Sequence, residues 1–356
     1  MSQELRFALI GCGRVAPKHI ASLKEIKGAR LVAICDKDLA KAKEKGKGLE
    51  GVDYIQDHRE LLKRDDIDVV SVLTESGTHA EITIEAAKAG KHVVVEKPMA
   101  LTLRDADRMI RQCDRNGVKL FVVKQNRFNL PVVKLREALE AGRFGKMVMG
   151  TVRVRWCRKQ DYYDQDPWRG TWALDGGVFT NQASHHIDLL EWMMGDVESV
   201  FAKSTTRLVD TETEDTGVAV LKFTNGALGV IEATTATRPK DLEGSISILG
   251  SGGTVEIGGF AVNEMKVWNF SEEKSGDAEV LERYHTNPPD VYGFGHLEYL
   301  RSVVDCIQGN GQALVNGLEG RRSLELINAI YESAETGKEV RLNFVPRYSR
   351  LGRSEG

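Results

Sequence analysis

The pattern of apolar and polar positions changes rhythm partway along the chain. Five short runs, Leu5 to Ile10, Leu31 to Cys35, Val69 to Leu73, His92 to Val95 and Leu120 to Val123, are rich in Val, Ile and Leu and show no polar alternation. Strands covered on both faces of a parallel sheet read this way. Helix-period stretches lie between them, such as His79 to Lys88 and Leu103 to Cys113, the latter opened by Thr102 with Asp105 at capping-box spacing. Strand and helix alternating in this manner predict right-handed βαβ units and a doubly wound sheet.

After about residue 130 the pattern is different. Pro131 opens a helix to Ala141, Gly142 and Gly145 break it, and Met147 to Trp156 alternates as a strand with one exposed face. Residues 198–268 hold several β-branched runs separated by turns such as Thr224-Asn225-Gly226 and Gly250-Ser251-Gly252-Gly253. A mainly antiparallel sheet is expected, with one helix inserted at about Gly177 to Met194 and two more near the C-terminus. The tail over 345–356 is polar and is expected to be loose.

Composition narrows the function classes. The 356 residues suit two domains at ~100 to 200 residues each, and 41% apolar residues with a net charge of -3 exclude a disordered chain. Lys plus Arg number 49 against 52 Asp plus Glu, so there is no broad basic footprint for nucleic acid, and an anionic partner has to be met locally. The longest uncharged stretch, Cys306 to Leu318, falls short of the ~20 residues of a membrane-spanning helix. Glu4 and the missing basic n-region argue against a signal peptide. Five scattered cysteines without a CxxC pair suit a reduced, cytoplasmic protein without a structural metal.

The first candidate chemistry follows the first strand. Residues 11–16, GCGRVA, have the GxGxxA form of a dinucleotide-binding turn. Gly11 allows the tight turn, Gly13 lets a pyrophosphate approach the backbone, and Ala16 permits close helix packing. The helix that follows offers free N–H groups to phosphates. Asp36, at the end of the second strand, would accept from the adenosine ribose hydroxyls, which favours NAD over NADP; Lys37 beside it tempers that preference.

With these residues in view, the chain resembles the Gfo/Idh/MocA family of sugar and inositol dehydrogenases over essentially its whole length. The stretches that carry the resemblance are IGCGRVAPKHI at 10–20, LTESGTHAE at 73–81, VVVEKPMAL at 93–101, NRFNLP at 126–131 and GGVFTNQASHHIDLL at 176–190. The resemblance implies an α/β protein: an N-terminal NAD-binding Rossmann domain at 1–125, then a C-terminal α/β domain at 126–344 with a large open, mainly antiparallel sheet that serves substrate binding and oligomerisation, expected to give a homotetramer. It implies cofactor contacts from Gly11, Gly13, Arg14 and Val15, from Asp36 and Lys37, from Thr74, Ser76 and His79, and from Glu96, Lys97 and Gln125. The stretch from Trp156 to Gly195 is similar to family members that oxidise carbon 3 of UDP-N-acetyl-glucosaminuronate in bacterial O-antigen and lipopolysaccharide assembly, some of which recycle NAD with 2-oxoglutarate.

Two residues are the candidate catalysts. Lys97 follows a Val-rich strand and precedes Pro98, which places it at the carboxyl end of the sheet, where desolvation and a nearby positive nicotinamide would lower its pKa. On the predicted helix from Gly177, Asn181, His185 and Asp188 share one face while His186 points about 100° away. The family's DxGxH pattern selects His185, and the chain departs from it at Asn181, commonly Asp, and Ala183, commonly Gly. An amide cannot take a proton, so the base is His185 or Lys97, with the roles exchangeable. The segment from Arg153 to Trp172 sets Arg153, Arg155, Arg158, Lys159 and Arg169 against Asp161, Asp164 and Asp166, with aromatics interleaved. That local cationic excess is where a diphosphate and a uronate carboxylate are expected to be gripped. The expected substrate contacts are Lys97 and Arg127, then Arg155, Lys159, Gln160 and Tyr163, then Asn181 and His185. An inositol or simple hexose dehydrogenase and a non-catalytic sugar sensor stand as the alternatives.

Overall fold

The structure, a computed structural model, describes residues 4–288, 290–312 and 314–354. Strands β1 (Leu5–Ile10), β2 (Ala29–Cys35), β3 (Asp53–Ile55), β4 (Val69–Val72), β5 (His92–Val95) and β6 (Leu120–Val122) alternate with helices α1 (Ala16–Glu25), α2 (Leu39–Lys45), α3 (His58–Leu62), α4 (His79–Lys88) and α5 (Leu103–Arg115). They form a parallel sheet in the order β3-β2-β1-β4-β5-β6. The strands run unalternated because helices cover both faces: β4 is buried throughout, and Ala8, Val70, Val72, Val93 and Val95 are fully or almost fully buried. Thr102 caps α5, accepting from the Asp105 N–H at 3.1 Å and donating its hydroxyl to the Asp105 carboxylate at 2.7 Å.

The later elements are α6 (Leu130–Glu140), β7 (Met147–Arg155), α7 (Gln160–Tyr163), α8 (Ser184–Met194), β8 (Val197–Thr205), β9 (Thr216–Phe223), β10 (Leu228–Thr234), β11 (Glu243–Gly250), β12 (Gly253–Gly258), β13 (Glu264–Phe270), α9 (Val280–Arg283), α10 (His296–Ile307), α11 (Gly317–Thr336) and β14 (Val340–Arg341). The second sheet is ordered β13-β12-β11-β7-β10-β9-β8-β14. All its pairings are antiparallel except β10 with β7. One face packs against α8: Val152, Val154, Ile231, Ile246 and Ile248 are buried there, and a Cβ on Gly150 would meet Leu190 and Met194 of α8 at 2.7 Å. On the other face Phe201, Val218, Val220 and Leu228 are 42 to 52% exposed.

Three boundaries differ from the sequence expectation. The chain divides into Met1–Lys124 with His296–Leu324, and Gln125–Gly295 with Glu325–Gly356. Residues 296–324 therefore belong with the first unit, because the apolar side of α10 packs on α1, a long-range pairing that periodicity does not reveal. Second, α8 begins at Ser184 rather than Gly177, since Gly176 turns the chain at φ +84° and Asn181 lies in the turns before the helix. Third, the described part of the tail is not loose: Glu332 Oε2 accepts from the N–H groups of Arg347, Tyr348 and Ser349, and Leu351 is 2% exposed.

Candidate active site

In the first unit the strand order reverses between β1 and β4, and ligands of doubly wound sheets bind outside the carboxyl ends of such strands. A Cβ on Gly11, at φ +102°, would lie 2.7 Å from the Leu73 carbonyl, so only glycine fits the turn. Over Gly13 no atom of the described residues lies within 4 Å of a would-be Cβ, which leaves a bare backbone cradle for a pyrophosphate. Ala16 is fully buried at the start of α1. Exposed Arg14 and half-buried Val15 border the cradle. Asp36 Oδ2 accepts from the Cys12 N–H at 2.7 Å and Oδ1 from the Asp38 N–H at 2.9 Å, which fixes the carboxylate beside the glycine turn. These residues fit NAD. Lys37 is 83% exposed and pairs with Glu75 at 3.4 Å, while the Thr74 and Thr78 hydroxyls share a 2.8 Å hydrogen bond. Ser76 is buried at the start of the turn that leads into α4.

The turn after β5 carries Glu96 and Lys97. Glu96 Oε2 accepts from the Lys97 N–H at 3.1 Å, and Oε1 accepts from His19 Nε2 at 3.0 Å with His296 Nε2 3.9 Å away. Burial would raise the Glu96 pKa, but the His19 bond and the neighbouring His296 hold it well below the usual carboxylate range. Three distant segments thus gather two histidines and a carboxylate whose ligand atoms all lie within 4.8 Å, a cluster that ligand spacing in the sequence cannot show. His79 spans two carbonyls, Nδ1 to Pro98 O at 2.8 Å and Nε2 to Thr74 O at 3.0 Å, and burial pushes its pKa down. Expected as cofactor contacts, Glu96 and His79 have their polar atoms engaged inside the unit and brace the turn that presents Lys97.

In the second unit His185 lies in the first turn of α8, 8% exposed. Gln125 Nε2 donates to His185 Nε2 at 3.1 Å, which engages the Nε2 lone pair and ties the ring to the segment after β6. Arg127, expected as a substrate contact, has its Nε and Nη2 on both oxygens of Asp188 at 2.8 and 2.9 Å, with both side chains almost fully buried and the Trp192 ring 4.7 Å away. This clasp fixes α8 three residues beyond His185. His186 is fully buried beside Trp156, and burial pushes its pKa down to about 4, so it stays neutral in the core. Asn181 donates to Asp175 Oδ1 instead of sharing a helix face with His185.

The basic segment divides by strand parity. Because Val152 and Val154 face α8, Arg153 and Arg155 project from the opposite face, across the sheet from His185. Arg155 there grips Glu232 at 2.6 and 2.7 Å, and Arg153 pairs with Glu243 at 3.5 Å. Arg169 pairs with Asp166 at 3.0 Å. Gln160 bonds the Asp210 backbone at both ends of its amide, Tyr163 is buried with its hydroxyl 3.2 Å from Thr235, and Trp172 is in the core against Tyr331. Lys159 stays exposed ahead of α7. The expected grip through Arg155 and Gln160 is thus already occupied by internal partners.

One buried acid was not legible in the sequence. Glu214 Oε1 accepts from the Phe179 N–H at 3.1 Å and the Tyr331 hydroxyl at 2.7 Å, and Tyr331 in turn accepts from Gly177 N–H and the Thr180 hydroxyl. Among the described residues Oε2 has no hydrogen-bond partner, and it approaches Gly177 so closely that no Cβ would fit there. Burial pushes this carboxyl up to about 7. Glu214 therefore holds the 177–183 segment that leads into His185. Its only sequence signal is the acidic run at 212–215, which reads as a surface turn.

Comparison with known proteins identifies the family. Residues 5–124 match the oxidoreductase family's NAD-binding Rossmann fold, and 136–342 match the family's C-terminal α/β domain. The WlbA dehydrogenase from Bordetella pertussis, solved with NADH and UDP-GlcNAcA, is 43% identical with a TM-score of 0.90, covering 96% of this chain and 99% of that one. The Chromobacterium violaceum WlbA dehydrogenase, solved with the same ligands, is 42% identical with a TM-score of 0.89, covering 96% and 97%. The myo-inositol 2-dehydrogenase of Thermotoga maritima is 32% identical over 96% of this chain and 99% of its own length. With both domains matched in order, the chain belongs to the Gfo/Idh/MocA family of oxidoreductases.

Proposed function

We propose that the protein oxidises the carbon 3 hydroxyl of UDP-N-acetyl-glucosaminuronate to the 3-keto sugar with NAD, in the assembly of bacterial lipopolysaccharide O-antigen sugars. The observation that carries this reading is identity of 42 to 43% over 96% of the chain to two dehydrogenases solved with NADH and UDP-GlcNAcA. Bound NAD supplies the acceptor for the hydride leaving carbon 3. Gly11, Gly13 and Asp36 hold its phosphates and ribose. His185, whose ring Gln125 holds in place, takes the hydroxyl proton. Lys97, presented by the braced turn after β5, bonds the same oxygen and stabilises the charge that develops on it. Lys97 taking the proton with His185 as the stabilising group is the alternative assignment.

The exposed apolar face formed by Phe201, Val218, Val220 and Leu228 supports self-association through the second sheet, with a homotetramer as the proposed assembly. Likeness to the Thermotoga maritima enzyme favours a second reading, inositol oxidation. The test is NADH formation from NAD with UDP-N-acetyl-glucosaminuronate and, separately, with myo-inositol. Turnover on the nucleotide sugar alone is expected, continuing at limiting NAD when 2-oxoglutarate is the reoxidant. Turnover on myo-inositol alone overturns the proposal.

A further inference from the structure

The segment 347–352, beyond β14, lies against the turn that feeds the His185 helix. Glu332 of α11 fastens its start, with Oε2 accepting from the N–H groups of Arg347, Tyr348 and Ser349 at 3.0, 2.6 and 2.8 Å. Arg350 pairs with Glu335 at 2.6 Å, and its guanidinium carbon is 4.1 Å from the centre of the Trp172 ring. The Gly352 N–H then donates to the Trp172 carbonyl at 2.9 Å. Between these ties the Leu351 side chain is 2% exposed and packs on Gly176: a Cβ built on that glycine, at φ +84°, would come within 2.9 Å of Leu351 Cδ2. Leu351 occupies the space that a side chain at 176 would need.

The same helix grips the turn itself. Tyr331, next to Glu332, meets Trp172 edge-on at 5.3 Å and accepts from the Gly177 N–H at 3.2 Å. Successive helical residues point about 100° apart, so Tyr331 and Glu332 hold the turn and the segment laid against it from one rigid element. From the turn, backbone hydrogen bonds lead to α8: Asn181 N–H to Gly177 O at 2.9 Å, Ala183 N–H to Val178 O at 2.8 Å and Ile187 N–H to Ala183 O at 2.9 Å. His185 lies inside the span that the last of these closes. We propose that 347–352 is a strap that sets the active-site helix, with Leu351 as a positioning residue for His185 that acts through the Gly176 turn. This rests on the proton-accepting role given to His185 above. Truncating Leu351 opens a cavity beside the most freely turning kind of residue, so the turn gains conformations and His185 spends less time in line with the reacting hydroxyl.

Amide hydrogen exchange and steady-state oxidation of UDP-N-acetyl-glucosaminuronate test this on the wild-type protein, Leu351→Ala, Leu351→Met and Arg350→Gln. Leu351→Ala is expected to lower kcat about tenfold or more with KM and NADH affinity within about twofold of wild type, Arg350→Gln to lower kcat severalfold, and Leu351→Met, which refills the space, to restore most of it. In Leu351→Ala, exchange over 176–183 is expected to quicken at least tenfold more than exchange in β9 and β10 of the same unit. Wild-type kcat and wild-type exchange over 176–183 in both Leu351→Ala and Arg350→Gln overturn this inference alone. Equal quickening over 176–183, β9 and β10 makes Leu351 a general core residue and also overturns it. A wild-type protein that does not oxidise the nucleotide sugar overturns the proposed function instead, and the exchange comparison then decides the strap by itself.

Discussion

Replacing Glu214 with Gln changes how stability depends on pH, with a direction the geometry fixes. The carboxyl is fully enclosed, accepts from Phe179 and Tyr331, and is pushed from an ordinary 4.5 up to about 7 by burial, against the smaller pull of those bonds and of the Arg350 charge. A carboxyl whose folded pKa is raised binds more protons in the folded chain than in the unfolded one between those two values. Wild-type stability therefore falls as pH rises from about 4.5 to about 7, and the loss is complete above that. At 1.36 kcal/mol per pKa unit the whole loss is on the order of 3 kcal/mol. Glutamine keeps both accepted bonds at its carbonyl and cannot ionise. Its amide N–H groups meet the same unpartnered pocket as Oε2, a cost of ~1 to 3 kcal/mol that does not vary with pH. The variant should gain on the wild type by about 3 kcal/mol between pH 5 and pH 8, or about 4 °C in relative melting temperature for a chain of this length. Thermal unfolding of both proteins across that range reads the difference directly. Parallel melting profiles at every pH would refute the assignment of a buried, proton-holding carboxyl at Glu214.

Further outcomes follow from the same geometry. Arg127→Met leaves Asp188 charged and buried at 2% exposure, so urea unfolding should show a loss of about 3 to 5 kcal/mol. An Arg127→Met/Asp188→Leu double variant recovers much of it, and equal losses in the two would contradict the clasp. Gly13→Ala should fold with wild-type stability, since nothing lies near the new Cβ, yet lose NADH affinity by at least tenfold in a fluorescence titration. Gly11→Ala instead drives its Cβ into the Leu73 backbone and should lose both stability and NADH binding. His185→Gln should cut turnover more than a hundredfold while NADH binding stays intact.

The Rossmann half was legible because its evidence is local. Unalternated β-branched strands, the GCGRVA turn and the acid at Asp36 each dictate structure within a few residues, and β1 and β5 occupy the positions their apolar runs define. Strand β3, only three residues long and half exposed, carries no apolar run and was missed. In the second unit the alternation of β7 was correct, but parity alone does not say which face a helix will cover. Arg155 was therefore read toward the substrate, while the helix-covered face belongs to Val152 and Val154. The ties that set His185, from Gln125 and through Asp188 to Arg127, join residues about 60 positions apart. Periodicity is blind to such pairs.

On the proposed function, hydride leaves carbon 3 of a UDP-linked aminouronate. The most direct measurement uses UDP-N-acetyl-glucosaminuronate carrying deuterium only at carbon 3, incubated with the protein and NAD and analysed by mass spectrometry. Deuterium is expected on the reduced nicotinamide, with a UDP-sugar product that has lost the label and gained a ketone. Deuterium retained in a turned-over sugar, or no turnover of this substrate, would contradict it.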